Sequence, residues 1–204
     1  SPTMKQPTHV VRLFQKTRRT NAQHTHYFEG VGTGVDEAGF FGKSLLKQSL
    51  MKVGGGAFGW GLNDNIKQAY AALCAEYEAG DEIFIFGFSR GAYTARSLAV
   101  MIRKCGIVAD PTPANLDKAF TLYRKPGVEN HPDALHVMQA RRTLSPRFGT
   151  SQADMNWRLV TPWNSDNGPM HKVDIAYLGV WDTVGSLGIP APLLGAVANL
   201  WNSK

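Results

Sequence analysis

With 204 residues, 43% of them hydrophobic and 19% charged, the chain is long enough for one sizeable core and too short for two, so a single domain over residues 1–204 is expected. Two cysteines, Cys74 and Cys105, exclude a disulfide framework or a metal cluster and favour a reducing compartment at synthesis; neither metal nor cofactor is expected. The net charge of +6 and pI near 9.4 suit an acidic partner, but the basic residues are dispersed and no aromatics interleave them, which argues against nucleic acid and leaves an anionic membrane surface open.

Ser1–Val10 has no apolar run and so no cleavable signal, although secretion by a route without one stays compatible. Val10, Val11, Leu13 and Phe14 predict a short helix, and Thr25–Glu29 reads as a strand emptying into the loop Gly30–Gly34. A second glycine-dense stretch, Gly54–Gly61, leads to an amphipathic helix capped by Asn63 or Asp64, with Ile66, Ala69, Tyr70, Leu73, Cys74 and Tyr77 on one face and Gly80 ending it. Neither glycine loop has the Lys-Ser/Thr ending of a P-loop, and Gly30–Gly34 lacks the third glycine of the dinucleotide fingerprint, so nucleotide binding is not expected.

Ile83–Phe86 then forms a buried strand, and a helix running from Ala92 past Ile102 to Gly106 follows at once. A further short helix is predicted over Asp117–Arg124. Lys125–Lys172 is polar and interrupted by Pro126, Pro132, Pro146, Pro162 and Pro169, and reads as an irregular insertion or lid, in which Trp157 and Trp163 either meet an acyl chain or anchor the loop. Val173–Val180 returns to strand character and delivers Trp181-Asp182-Thr183-Val184-Gly185. Thr183–Ser203 carries no charge, but its glycines and prolines argue against a membrane span and for a loop followed by a short apolar helix near Leu193–Trp201. The order helix, buried strand, tight turn, helix predicts a doubly wound α/β sheet, mostly parallel and flanked by helices.

The chemistry centres on Gly87-Phe88-Ser89-Arg90-Gly91, between the strand and the helix. A reversal within so few residues strains the backbone at Ser89, asks for glycine at Gly87 and Gly91, and pushes the hydroxyl outward as a nucleophile elbow does. The alternative is that Ser89 only caps the helix, which would leave two flanking glycines unexplained. The Arg90 N–H and the helix N-terminus would face a developing oxyanion. Asp182, at the end of another strand, is the candidate acid of a triad; the competing reading is an Asp turn over Thr183 and Val184. Asp174 is the weaker choice because it opens its strand. All six histidines (His9, His24, His26, His131, His136 and His171) precede Asp182, whereas this fold runs Ser, acid, His; the base is therefore expected outside these residues rather than out of order among them.

The segment Gly87–Arg96, the loop Gly30–Gly34, the helix entry Gly59–Leu62 and the run Gly179–Gly185 together resemble a bacterial α/β-hydrolase domain of unknown function that includes type VI secretion phospholipase effectors. The resemblance runs from about Thr8 to Pro190 and is least over Lys125–Lys172. It implies a serine hydrolase of carboxylic esters, phospholipids foremost, with Ser89 as nucleophile, Asp182 as acid, Arg90 as an oxyanion donor, and Gly32 and Thr33 in a substrate loop. It also implies a bacterial protein, cytoplasmic at synthesis, that acts as a secreted effector. Family members carry a first strand ending in Asp-Gly-Thr and a later Gly-x-His-x-Asp-x-Gly-Gly-Gly segment. Neither is in this sequence, so the fold is expected to be incomplete, and the second oxyanion donor and the histidine to lie elsewhere. Thr8-His9-Val10 stands where relatives tend to read Thr-Asn-Val. The rival expectation is a catalytically incomplete module of the same fold that binds a membrane or a partner.

Overall fold

The computed structural model describes residues 7–29, 60–161 and 168–183, with backbone alone at 60–62. Gly30–Gly34 with Gly32 and Thr33, the stretch Gly54–Gly59, Trp163 and the segment Leu193–Trp201 lie outside the described residues.

Helix α1 spans His9–Lys16, its first turn closed by the Thr8 hydroxyl accepting from the Val11 N–H at 3.3 Å. Thr25–Glu29 is not a strand: it has no ladder partner among the described residues and is tied to the next helix by side chains, Asn65 Nδ2 donating to the Glu29 carbonyl at 2.7 Å. That helix, α2, covers Trp60–Glu76, so it begins before Asn63 and Asp64, which therefore do not cap it. It also ends four residues short of Gly80, whose φ of +101° instead serves the turn into the sheet.

Strand β1, Ile83–Phe88, runs through the predicted segment and two residues further. Helix α3, Arg90–Cys105, follows after one residue and stops at Gly106, where φ is +73° and an added Cβ would lie 2.7 Å from the Ser145 Cβ. Helix α4, Pro113–Arg124, starts earlier than expected because Thr112 caps it and Pro113 suits its first turn.

The stretch read as irregular holds two more helices, α5 (Leu135–Leu144) and α6 (Gln152–Val160), and a small parallel pair of β2 (Phe148–Gly149) with β3 (His171–Lys172). Helix α5 packs on α3 and α4. Buried charge holds this region: Asp154 accepts from Arg141 Nε and Arg158 Nε, each at 2.9 Å, and from the Thr150 N–H at 3.0 Å. Arg141 Nη1 reaches the carbonyls of Arg103, Lys104 and Pro132, fastening the region to the end of α3.

The remaining strand, β4, is Ile175–Trp181 and lies parallel to β1, with Phe88 opposite Trp181. Ile83, Ile85 and Gly87 turn to the buried face of β1, against α3, in the two-residue alternation of a strand. The core joins Ile66, Tyr70 and Cys74 of α2 to Met101, Ile102 and Cys105 of α3 and Leu116, Ala119 and Phe120 of α4. The architecture is therefore α/β, helices packed with small parallel sheets. Among the described residues no helix is long and apolar enough to cross a membrane.

Candidate active site

Parallel pairing of β1 and β4 brings the residues just past both strand ends, Ser89 and Asp182, to the same carboxyl edge of the sheet. The two are tied through backbone, the Ser89 N–H donating to the Trp181 carbonyl at 2.9 Å. In open α/β sheets this edge is where ligands bind.

Ser89 sits at φ 53° and ψ −119°, a conformation L-residues rarely adopt, at a cost of about 1–3 kcal/mol. The strain is held by two backbone bonds, the one to Trp181 and the Ala92 N–H donating to the Ser89 carbonyl at 3.0 Å. The side chain makes no capping hydrogen bond to α3, so the helix-capping alternative does not describe it. Ser89 is half-buried, at a bend that these backbone bonds secure among the described residues.

Gly87 is required by close approach. A Cβ there would meet the Gly91 carbonyl oxygen and lie 2.6 Å from the Gly91 carbonyl carbon and 2.7 Å from the Ala92 Cα, so the first turn of α3 could not seat against β1. Gly91 does not meet the same expectation. A Cβ at Gly91 would find nothing within 4 Å among the described residues, and its backbone is not left-handed. Its missing side chain leaves open space over the first turn of α3, beside the exposed Arg90. The first N–H groups of a helix have no intrahelical acceptor, so those of Arg90 and Gly91 are available to an anion at that opening.

Asp182 is exposed and, with Ser89, is one of two non-glycine residues with positive φ among the described residues, at 47°, a conformation aspartate tolerates better than most side chains. Its carboxylate takes no hydrogen bond from Thr183 among the described residues, and Val184 lies outside them. Asp174 stands before β4, at the opposite edge, paired with Lys172 at 3.1 Å.

Trp181 contributes a ring that sequence reasoning passed over. It stacks on Phe86 with centroids 6.2 Å apart and meets the imidazole of His9, the first residue of α1, at 6.5 Å. His9 thus packs against the ring of the last residue of β4. Among the described residues no group of three or more His, Cys, Asp or Glu is arranged to hold a metal ion.

The family model for the catalytic domain of Tle1-like phospholipase effectors of the type VI secretion system matches residues 1–202. The chain is 28% identical over 185 residues to the uncharacterized protein YEL023C of Saccharomyces cerevisiae, an alignment covering 89% of this chain and 24% of that protein, so it spans about a quarter of that relative's length. No solved structure matches it. With the family model covering nearly every residue, the chain belongs to the Tle1-like catalytic domain family of type VI secretion phospholipase effectors.

Proposed function

We propose that the chain is a serine hydrolase of lipid carboxylic esters in which Ser89 attacks the ester carbonyl and carries the acyl group until water releases it. The observation that supports this most is the bend at Ser89, whose N–H is fixed on Trp181 while its hydroxyl makes no cap to the helix that follows. A hydroxyl that does not serve as a helix cap, held in a strained turn, suits a nucleophile. The open first turn of α3 gives the Arg90 N–H a route to the developing oxyanion, and the nearby helix N-terminus adds partial positive charge there. Asp182 is the acid that would orient and stabilise an imidazolium. On this reading the β1–β4 pair is part of a doubly wound hydrolase sheet.

Family membership supports phospholipids as the substrate class and a bacterial effector delivered to its target. The yeast relative carries related sequence outside bacteria. An anionic membrane surface is the partner that a lipid substrate and the basic charge both favour.

Phospholipid hydrolysis by the full-length protein tests the reading, together with labelling by a fluorophosphonate. Ser89→Ala should abolish labelling and lower turnover by a factor on the order of a million, and Asp182→Asn should lower it by about ten-thousandfold. Full activity in Ser89→Ala would refute the assignment.

A further inference from the structure

Basic residues occur all along this chain, but acidic ones do not. Residues 1–28 hold five Lys and Arg and no Asp or Glu, the first acid being Glu29, so most of the net charge of +6 arises there. Arg12, Lys16, Arg18 and Arg19 are the ones among the described residues, and all four are exposed. None of Lys16, Arg18 and Arg19 pairs with a carboxylate among the described residues. Glu76, which meets this part of the chain from the end of α2, is already held by His24 and His26, at 3.4 and 2.7 Å.

Helix α1 presents this charge in one direction. Phe84, Phe86 and Phe88 of β1 share with Tyr177 and Trp181 of β4 the sheet face turned away from α3, where the Phe86 ring meets those of Tyr177 at 5.5 Å and Trp181 at 6.2 Å. Helix α1 lies on that face, packed against β1 and with the His9 ring 6.5 Å from that of Trp181. At about 3.6 residues per turn, Val10, Val11 and Phe14 fall on one side of the helix and are half-buried. Arg12, Lys16 and Leu13 fall on the other and are exposed, Leu13 at 37%. Thr17 then ends the helix, its N–H and its hydroxyl both donating to the Leu13 carbonyl at 2.9 Å. Arg19 returns over the Phe14 ring, 4.8 Å from its centroid, which keeps Arg18 and Arg19 beside the last turn.

We propose that the outer side of α1, with Arg18 and Arg19, is the surface on which this protein docks to an anionic bilayer, an inference that rests on the reading of the chain as a hydrolase of membrane lipid. Cations around an exposed leucine, on a helix whose apolar side is turned to the sheet, fit a headgroup layer. The basic groups meet lipid phosphates and carboxylates, and Leu13 enters the boundary with the acyl chains. A nucleic acid strand fits less well, because Phe14, the ring among these cations, is taken up by Arg19 and by Tyr27 at 5.4 Å and is not open to stack on bases. A bilayer held on α1 lies beside the end of β4, where the Trp181 carbonyl accepts the Ser89 N–H.

Flotation of the full-length protein with vesicles, in a Ser89→Ala background that keeps the lipid intact, tests the surface. Vesicles of phosphatidylcholine with phosphatidylserine should carry the protein up far better than phosphatidylcholine alone. Salt at about 1 M, where the screening length falls to about 3 Å, should release it. Each Lys or Arg near an anionic surface is worth about fivefold in affinity, so Lys16→Gln, Arg18→Gln and Arg19→Gln together should weaken binding about a hundredfold with an unchanged urea midpoint. Lys118→Gln, Arg124→Gln and Lys125→Gln, which remove as much charge from exposed positions of α4 and its end, should float like the parent. So should Arg18→Lys with Arg19→Lys, since a bilayer reads charge rather than the guanidinium fork. Equal losses in the two glutamine variants, or none in that of α1, would overturn the surface. A single-stranded oligonucleotide that binds more tightly than anionic vesicles at equal phosphate, and is lost in the same variant, would overturn it too. A protein with Ser89 intact that hydrolyses phospholipid dispersed as monomers, while its Ser89→Ala form does not float, would overturn the surface and leave the hydrolase standing. Flotation through α1 without hydrolysis of any phospholipid would overturn the hydrolase and leave the surface standing.

Discussion

A methyl group at position 87 would run into the backbone of α3, at Gly91 and Ala92, and neither can retreat without lifting the helix from β1. Gly87→Ala is therefore expected to cost about 1–3 kcal/mol in urea unfolding and to cut Ser89 labelling, because the bend and the helix seat are one structure. Gly91→Ala meets open space and should leave stability nearly unchanged, so any loss of labelling it causes reports on the opening above α3. The two glycines look equivalent in the sequence, since a flanking glycine signals freedom of the backbone without saying whether a neighbour is close. The cysteines behave as expected of small apolar residues. Burial pushes the Cys74 thiol up to about 11 and that of Cys105 to about 12, and Cys105 donates to the Ala119 carbonyl at 3.1 Å. Iodoacetamide at neutral pH should modify neither until denaturant is added, as mass spectrometry would show.

The helices α5 and α6 owe their place to Asp154, fully buried between Arg141 and Arg158. Removing its charge leaves two enclosed guanidinium groups that already have one buried Nη2 each without a hydrogen-bond partner. Asp154→Asn should cost about 3–5 kcal/mol, read as a fall in the urea midpoint. The same cluster explains why this part of the chain was the least legible. Arginine and aspartate are ordinarily surface residues, so a polar stretch broken by prolines reads as loop, and nothing local tells that Arg141 and Arg158 share Asp154 inside. By contrast β1, α3 and β4 announce themselves through apolar alternation, a clean helical run and bounding glycines, and those elements hold the candidate site. Thr25–Glu29 shows the limit of that signal, because its β-type residues found side chains of α2 where a ladder was expected. The contact of His9 with Trp181 was hidden for a different reason: it is set by how α1 lies on β1 and joins residues 172 positions apart in the chain.

For the molecule as a whole, acid acts through Asp133, which joins α3 to the loop before α5 and to the cap of α6. Burial alone would raise its carboxyl, but the Ser151 hydroxyl at 2.7 Å and the Arg103 guanidinium outweigh that and hold it below the ordinary value. A depressed folded-state value stabilises above the unfolded carboxyl, near 3.9, and the gain is lost as pH falls through the lower folded value. Urea midpoints should therefore fall below about pH 4, with Asp133→Asn less stable than the parent at pH 7 and the difference narrowing at pH 3.

The pairing of Phe88 with Trp181 joins positions 93 residues apart. On a ribosome adding about 5–20 residues each second, roughly 5–20 s pass after Phe88 is made before Trp181 exists to meet it. Nascent polypeptide thus carries Ser89 without the Trp181 carbonyl that takes its N–H, and long-range closure of this kind is slow in its own right. The carboxyl edge around Ser89 is therefore completed only after translation has passed β4, a delay written into the topology.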